Sequence, residues 1–223
     1  MNISKKRLIV FASGSAEGGG SGFKNLVLAE RSGKMPSGTI VAVVSNHEHG
    51  GVRQKAEELG IPFEYMSAPY SAERYQAIVH KYQADFVALS GWLKLTLGLD
   101  PQTTFNIHPG PLPRFGGKGM YGHHVHEAVW TAHQSTGIDR VSNSAVTMHF
   151  VTEEYDKGPT FFVALVPIKG CANPDELAVR VNRAEHLWQP LITERVLSGE
   201  ISWDGIDPKS LTPKPVVQIY DAA

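Results

Sequence analysis

Cysteine is almost missing from this 223-residue sequence: Cys171 stands alone and has no partner for an internal disulfide. Such a chain needs no oxidising compartment to fold, and a reducing cytoplasm suits it. An excess of one charge is missing too. With 21 Lys and Arg against 22 Asp and Glu, the formal net charge is −1, so no global field draws the chain to nucleic acid or to an anionic membrane. Nothing approaches the run of about 20 apolar residues that a membrane helix needs. The start, "MNISKKRLIVFASGSA", imitates a secretion signal, but its apolar part, "LIVFA", is shorter than the roughly 7–15 residues such signals use and reads as a buried first strand. Repeats, heptads and linkers are also lacking. The expectation is one domain, monomeric or homodimeric, that meets small molecules rather than nucleic acid or membrane.

What is present is an alternation of strand-like and helix-like segments. Strands are expected at Arg7–Ser13, Thr39–Asn46, Phe63–Met66 and Asp85–Trp92, with helices at Phe23–Gly33, Val52–Gly60 and Ser71–Gln83 between them. Val52, Ala56 and Leu59 are spaced to share a helix face, and Ser71 is a candidate N-cap. Strands apolar on both faces, separated by helices, indicate an α/β fold with a parallel sheet covered on both sides. The second part differs. After "FNIHP" comes a His-rich helix over Tyr121–His133, then "SAVTMHFV" and "TFFVALVPI", expected to pair as an antiparallel hairpin across the acidic turn "TEEYDKGP". Asn173, Pro174 and Glu176 open the clearest helix, which runs to Leu197. The tail from Ser202 holds three prolines and no periodicity, so it reads as a strap or a partly ordered end.

Three stretches carry chemistry. The first is the glycine-rich loop "GSAEGGGSG", placed where backbone N–H groups at a helix N-terminus meet an anion. The strict dinucleotide pattern fails, since G-x-G-x-x-G begun at Gly18 reaches Phe23, and no G-K-[ST] follows. The second is "YGHHVHEAV", whose His123, His126 and Glu127 would share a helix face; without H-E-x-x-H order, a polar, solvent-facing or loop-lining segment is the better reading than a metal site. The third is "FNIHPGPLP". Asn106 and His108 alternate onto one face of a short strand that the prolines then terminate. An amide there can donate to a developing oxyanion, and a carboxylate beside the imidazole would raise its pKa and hold its tautomer. Spacing leaves Glu153, Glu154 and Asp156 as candidates for that acid.

"FNIHPGPLP" followed some fifty residues later by "MHFVTEEYDKGP" resembles the folate-dependent formyltransferases, and the likeness runs from "IVFASG" to about Leu197. The resemblance implies a Rossmann-like, mostly parallel sheet with helices on both faces and antiparallel strands in the C-terminal half. It implies a phosphate-binding half over 1–100, a catalytic and folate-binding half over 101–200, and a tail over 201–223. The implied reaction moves a formyl group from 10-formyltetrahydrofolate to the amine of glycinamide ribonucleotide in purine synthesis, in the cytoplasm and without a metal. By position, Asn106, His108 and Asp156 match the family's catalytic residues. Gly20, Ser21 and Gly22 match its ribose-phosphate turn, and Asn182, Arg183, Ala184 and Glu185 match the residues that hold the ribose and amine. Leu93, Lys94, Leu95 and Thr96, with Asn106, match the lining of its pterin pocket, and Thr152, Glu153, Glu154, Tyr155 and Asp156 match the loop that closes over it. The sequence departs from the pattern at the extra residues "AEGGG", at Gly22 where the family commonly has Asn, and at Ala72 where an Arg usually meets the folate tail, with Arg74 nearby. The longer "GGKGMYGHH" loop reads as a lid that brings Lys118 towards that tail.

Overall fold

The structure, a computed structural model, describes residues 4–220. Its eight-stranded sheet begins with β1 (Lys6–Phe11), β2 (Gly38–Ser45), β3 (Phe63–Tyr65), β4 (Phe86–Ser90) and β5 (Thr104–His108), all parallel. The helices α1 (Ser21–Arg31), α2 (Gly51–Leu59) and α3 (Ala72–Lys81) make the crossovers. After α4 (His123–Gln134), β6 (Asn143–Phe150) runs antiparallel to β5 and β7 (Thr160–Pro167) antiparallel to β6, as the hairpin pattern requires. The long α5 (Pro174–Leu197) follows. No helix among the described residues is long and apolar enough to cross a membrane.

The sheet is buried on both faces, which is why its first strands show no polar alternation. In β1, Leu8 and Val10 pack with Phe23 and Leu26 of α1, while Ile9 and Phe11 face Tyr75 and Trp92 on the other side. Each such side chain contributes roughly 1.5–3 kcal/mol on burial. Val52 and Ala56 are buried on α2 as their spacing implied. Ser71 occupies the N-cap of α3, yet its hydroxyl caps no helix N–H. At the start of α5, Asn173 Oδ1 accepts from the Glu176 N–H at 2.9 Å, whereas Glu176 Oε2 reaches the Ala172 N–H at 2.9 Å rather than that of Asn173. The box closes one residue early.

The tail is the main departure from expectation. Residues Val216–Ile219 form β8, parallel to β7 in the register Phe162↔Val216 to Leu165↔Ile219. Ser202 and Thr212 bridge, and Trp203 is buried against Phe150 with ring centroids 5.8 Å apart. A four-residue edge strand just after two prolines, with Val217 and Ile219 exposed, has no alternation to detect; backbone pairing places it.

The strand order β3-β2-β1-β4-β5-β6-β7-β8 reverses direction between β1 and β4. Ligands of open α/β sheets bind at the C-terminal strand ends beside such a reversal.

Candidate active site

Backbone and side-chain bonds lock the two strand ends at the reversal together. The Ser13 N–H donates to the Gly91 carbonyl at 2.9 Å, and the Leu93 N–H donates to Ser13 Oγ at 3.0 Å. Beside them the glycine-rich loop delivers the chain into α1. Gly20, at φ 74°, is the helix N-cap, and no side chain caps the first turn, so its N–H groups are available to a ligand. A cavity of about 750 Å³ opens there and is walled by the ends of β4 and β5, the start of α4 and one face of α5. Gly20, Ser21 and Gly22 line it.

Asn106, His108 and Asp156 all reach the same cavity. His108 Nε2 donates to the Phe115 carbonyl at 2.7 Å, which leaves Nδ1 facing Asp156 Oδ1 at 3.7 Å. Of the three acids that spacing left open, Asp156 is the one paired with this imidazole. Its backbone, at φ 55°, is in the left-handed region, sparsely populated for any residue with a Cβ and better tolerated by Asp than by most. Asp156 Oδ2 also accepts from the Gly117 N–H at 2.8 Å, so the 116–122 loop is latched to the same carboxylate. Arg74, considered for the folate tail, instead bonds the carbonyls of Ser67 and Pro69, whereas Lys118 of the latched loop borders the cavity.

Sequence reasoning missed His149. The antiparallel register puts it opposite Asn106. Its Nδ1 donates to the Phe150 carbonyl at 2.7 Å, and its Nε2 lies 3.1 Å from Asn106 Nδ2 and 3.4 Å from Asp156 Oδ1. A neutral ring accepts one Asn106 N–H and leaves the other directed elsewhere; a protonated ring would donate to Asp156 instead. The signal was in "MHFVTEEYDKGP", but only the β5–β6 pairing reveals what the side chain meets.

Protonation differs from the expectation that Asp156 raises the His108 pKa. Burial dominates and lowers it, against the opposing pull of the Asp156 charge and the Phe115 carbonyl. The resting imidazole is therefore biased to neutral. For Asp156, burial works upward, but the adjoining His149 and His108 rings and the Gly117 N–H together hold the carboxyl below its usual value. His126 is pushed down to about 4 by burial and then by the neighbouring histidines. Burial also pushes Glu185 up to about 7, partly offset by the Asn182 amide at 3.3 Å.

The remaining candidates divide. Asn182 and Glu185 border the cavity, but Arg183 is exposed and Ala184 is buried on other faces of α5. Leu93 and Tyr155 border it; Thr96, Thr152 and Glu153 line a separate hollow of about 260 Å³. Lys94 instead stacks over Tyr70 at 5.6 Å, the Leu95 carbonyl accepts from the Tyr75 hydroxyl at 3.0 Å, and Glu154 is exposed. His123 sits 3.6 Å from Glu127 Oε1, and among the described residues no group of three His, Cys, Asp or Glu side chains is placed to hold a metal ion.

Residues 6–193 match the family model described as formyl transferase. The chain belongs to the formyl transferase family. It is 33% identical over 220 residues to a chloroplastic phosphoribosylglycinamide formyltransferase of Vigna unguiculata, covering 92% of this chain and 66% of that protein. It is 34% identical to the Arabidopsis thaliana protein of the same name, covering 91% and 70%. The alignments thus span about two-thirds of the length of these formyl transferases. Among solved structures, glycinamide ribonucleotide transformylase 1 of Symbiobacterium toebii superposes with a TM-score of 0.76 at 25% identity, covering 90% of this chain and 92% of that one.

Proposed function

We infer that this formyl transferase moves the formyl group of 10-formyltetrahydrofolate to the primary amine of glycinamide ribonucleotide, a step of purine synthesis. The observation that carries this reading is the meeting of Asn106, His108 and Asp156, from a strand and a distant loop, in one cavity with the open first turn of α1. The names of the relatives support the choice of acceptor. The ribonucleotide phosphate would rest on the Gly20–Gly22 turn, its ribose and amine near Asn182 and Glu185, and the pterin near Leu93, Tyr155 and the Thr152–Asp156 loop. The chain would work as one domain in the cytoplasm, as monomer or homodimer.

Attack by the neutral amine on the formyl carbon creates an oxyanion and a positively charged nitrogen. The Asn106 N–H not taken by His149 is the donor for that oxyanion. Neutral His108 takes the proton released by the amine. A proton arriving at Nδ1 lies between the ring and Asp156 Oδ1, whose charge stabilises the imidazolium until the proton passes to the departing folate nitrogen. Asp156 thus holds charge that forms during the reaction rather than a charge present at rest.

The test is a transfer assay with both substrates and product analysis. Formylated glycinamide ribonucleotide is the expected product. Formyl on methionyl-tRNA alone, or free formate alone, would overturn the reading.

A further inference from the structure

One face of α5 looks into the cavity through Ala178, Asn182, Glu185, His186 and Gln189, at helical spacing. The last of these is unlike its neighbours. Gln189 is only 2% exposed, yet it borders the cavity. Its Oε1 accepts from the Ser90 hydroxyl at 3.3 Å. With the oxygen engaged, Nε2–H2 is the remaining group, and among the described residues no acceptor meets it. Gln189 borders the cavity, so this donor is open to an acceptor carried by a ligand.

Gly22 shows what the Ser90–Gln189 pair stands against. A Cβ built on Gly22 would collide with Ser90 Oγ and lie 2.9 Å from Gln189 Oε1. The Ser90–Gln189 pair therefore occupies the space that a side chain on the first turn of α1 would fill, and it excludes one. That turn has backbone N–H groups and no capping side chain. The amide of Gln189 is a side-chain donor beside it. Backbone N–H groups at a helix start and a buried amide on the facing helix suit an anion with several acceptor oxygens.

We propose that Gln189 is a specificity-determining residue whose Nε2–H2 donates to the phosphate of a sugar phosphate seated on the first turn of α1, with Ser90 holding the amide in that orientation. The proposal rests on the reading above that the cavity receives a ribose phosphate. It goes further in making phosphate selectivity a property of α5 as well as of the glycine-rich turn. Glutamate at position 189 keeps the shape but replaces donor by anion, and leucine removes the donor.

Calorimetric titration of the whole chain with ribose 5-phosphate and with ribose, alongside thermal melts, tests it. Gln189→Glu is expected to weaken ribose 5-phosphate binding at least tenfold and Gln189→Leu about fivefold, with ribose and the folate donor unchanged. Ser90→Ala, the milder change should either fail to fold, is expected to weaken ribose 5-phosphate alone by two- to fivefold. Affinity for ribose 5-phosphate within twofold of wild type in the folded variants would overturn the proposal. So would equal weakening of both sugars, or a wild type with no preference for the phosphorylated one. A wild type that shows the Gln189-dependent preference but forms no formylated glycinamide ribonucleotide leaves the proposal standing and removes the assigned reaction instead.

Discussion

Replacing Asp156 by Asn tests whether this carboxylate acts by stabilising a charge that appears only during the reaction. The substitution is nearly isosteric, and an amide oxygen can still accept from the Gly117 N–H, so the loop latch at 2.8 Å survives. What disappears is the negative charge 3.7 Å from His108 Nδ1. Two unit charges about 4 Å apart attract by about 4 kcal/mol at an effective permittivity near 20. Asp156 is mostly enclosed, so little of this is lost to solvent; the part that a neutral amide recovers brings the expected loss to about 3–4 kcal/mol. Turnover should then fall by about 10²–10³-fold. The pH profile of kcat adds a second readout. His108 already titrates below its ordinary range, and Asp156 is the main influence pulling it back up. Without it the histidine-dependent acid limb should move to lower pH, while the plateau falls. A variant with wild-type turnover and an unmoved acid limb would refute the role, and a plateau that falls without any shift would mean that Asp156 serves the loop rather than the imidazole.

Three further outcomes follow from the same geometry. Asn106→Ala should reduce kcat by about 10²–10³-fold with an unchanged melting temperature, the usual loss for one preorganised oxyanion donor; steady-state kinetics with a thermal melt reads both. Glu185 has a folded pKa of about 7 against an ordinary 4.5, so its cost to stability is absent below about pH 4.5, grows up to about pH 7 and is complete above. Since the residue is only half-buried, Glu185→Gln should stabilise the unliganded chain by about 1–2 kcal/mol at pH 8 and not at all at pH 4, and denaturant melts at the two pH values would show no difference if the environment were wrongly read. Trp203→Ala should destabilise the chain by about 3–5 kcal/mol in chemical unfolding, because a buried indole is lost from its packing on Phe150 together with its bond to the Asp207 carbonyl; a loss under 1 kcal/mol would mean that the tail is dispensable.

Local pattern alone settled much of this protein. Apolar strands alternating with amphipathic helices announced a parallel sheet covered on both faces, because a strand buried on both sides has no polar positions to show. The Asn173–Pro174–Glu176 start of α5 and the β6–β7 hairpin were visible because their determinants lie a few residues apart. Asn106 and His108 could be placed on one strand face for the same reason. Tertiary structure decided what those side chains meet. His149 stands against Asn106 only because β5 and β6 pair antiparallel in one register, and Asp156 rather than Glu153 or Glu154 is the acid the loop brings to His108. The protonation of His108 rests on burial outweighing a nearby charge, a competition set by surroundings drawn from distant segments. The partnership of Ser90 and Gln189, 99 residues apart, and the pairing of β8 with β7 were likewise invisible, since hydrogen bonds between remote segments leave no periodicity in the chain that makes them.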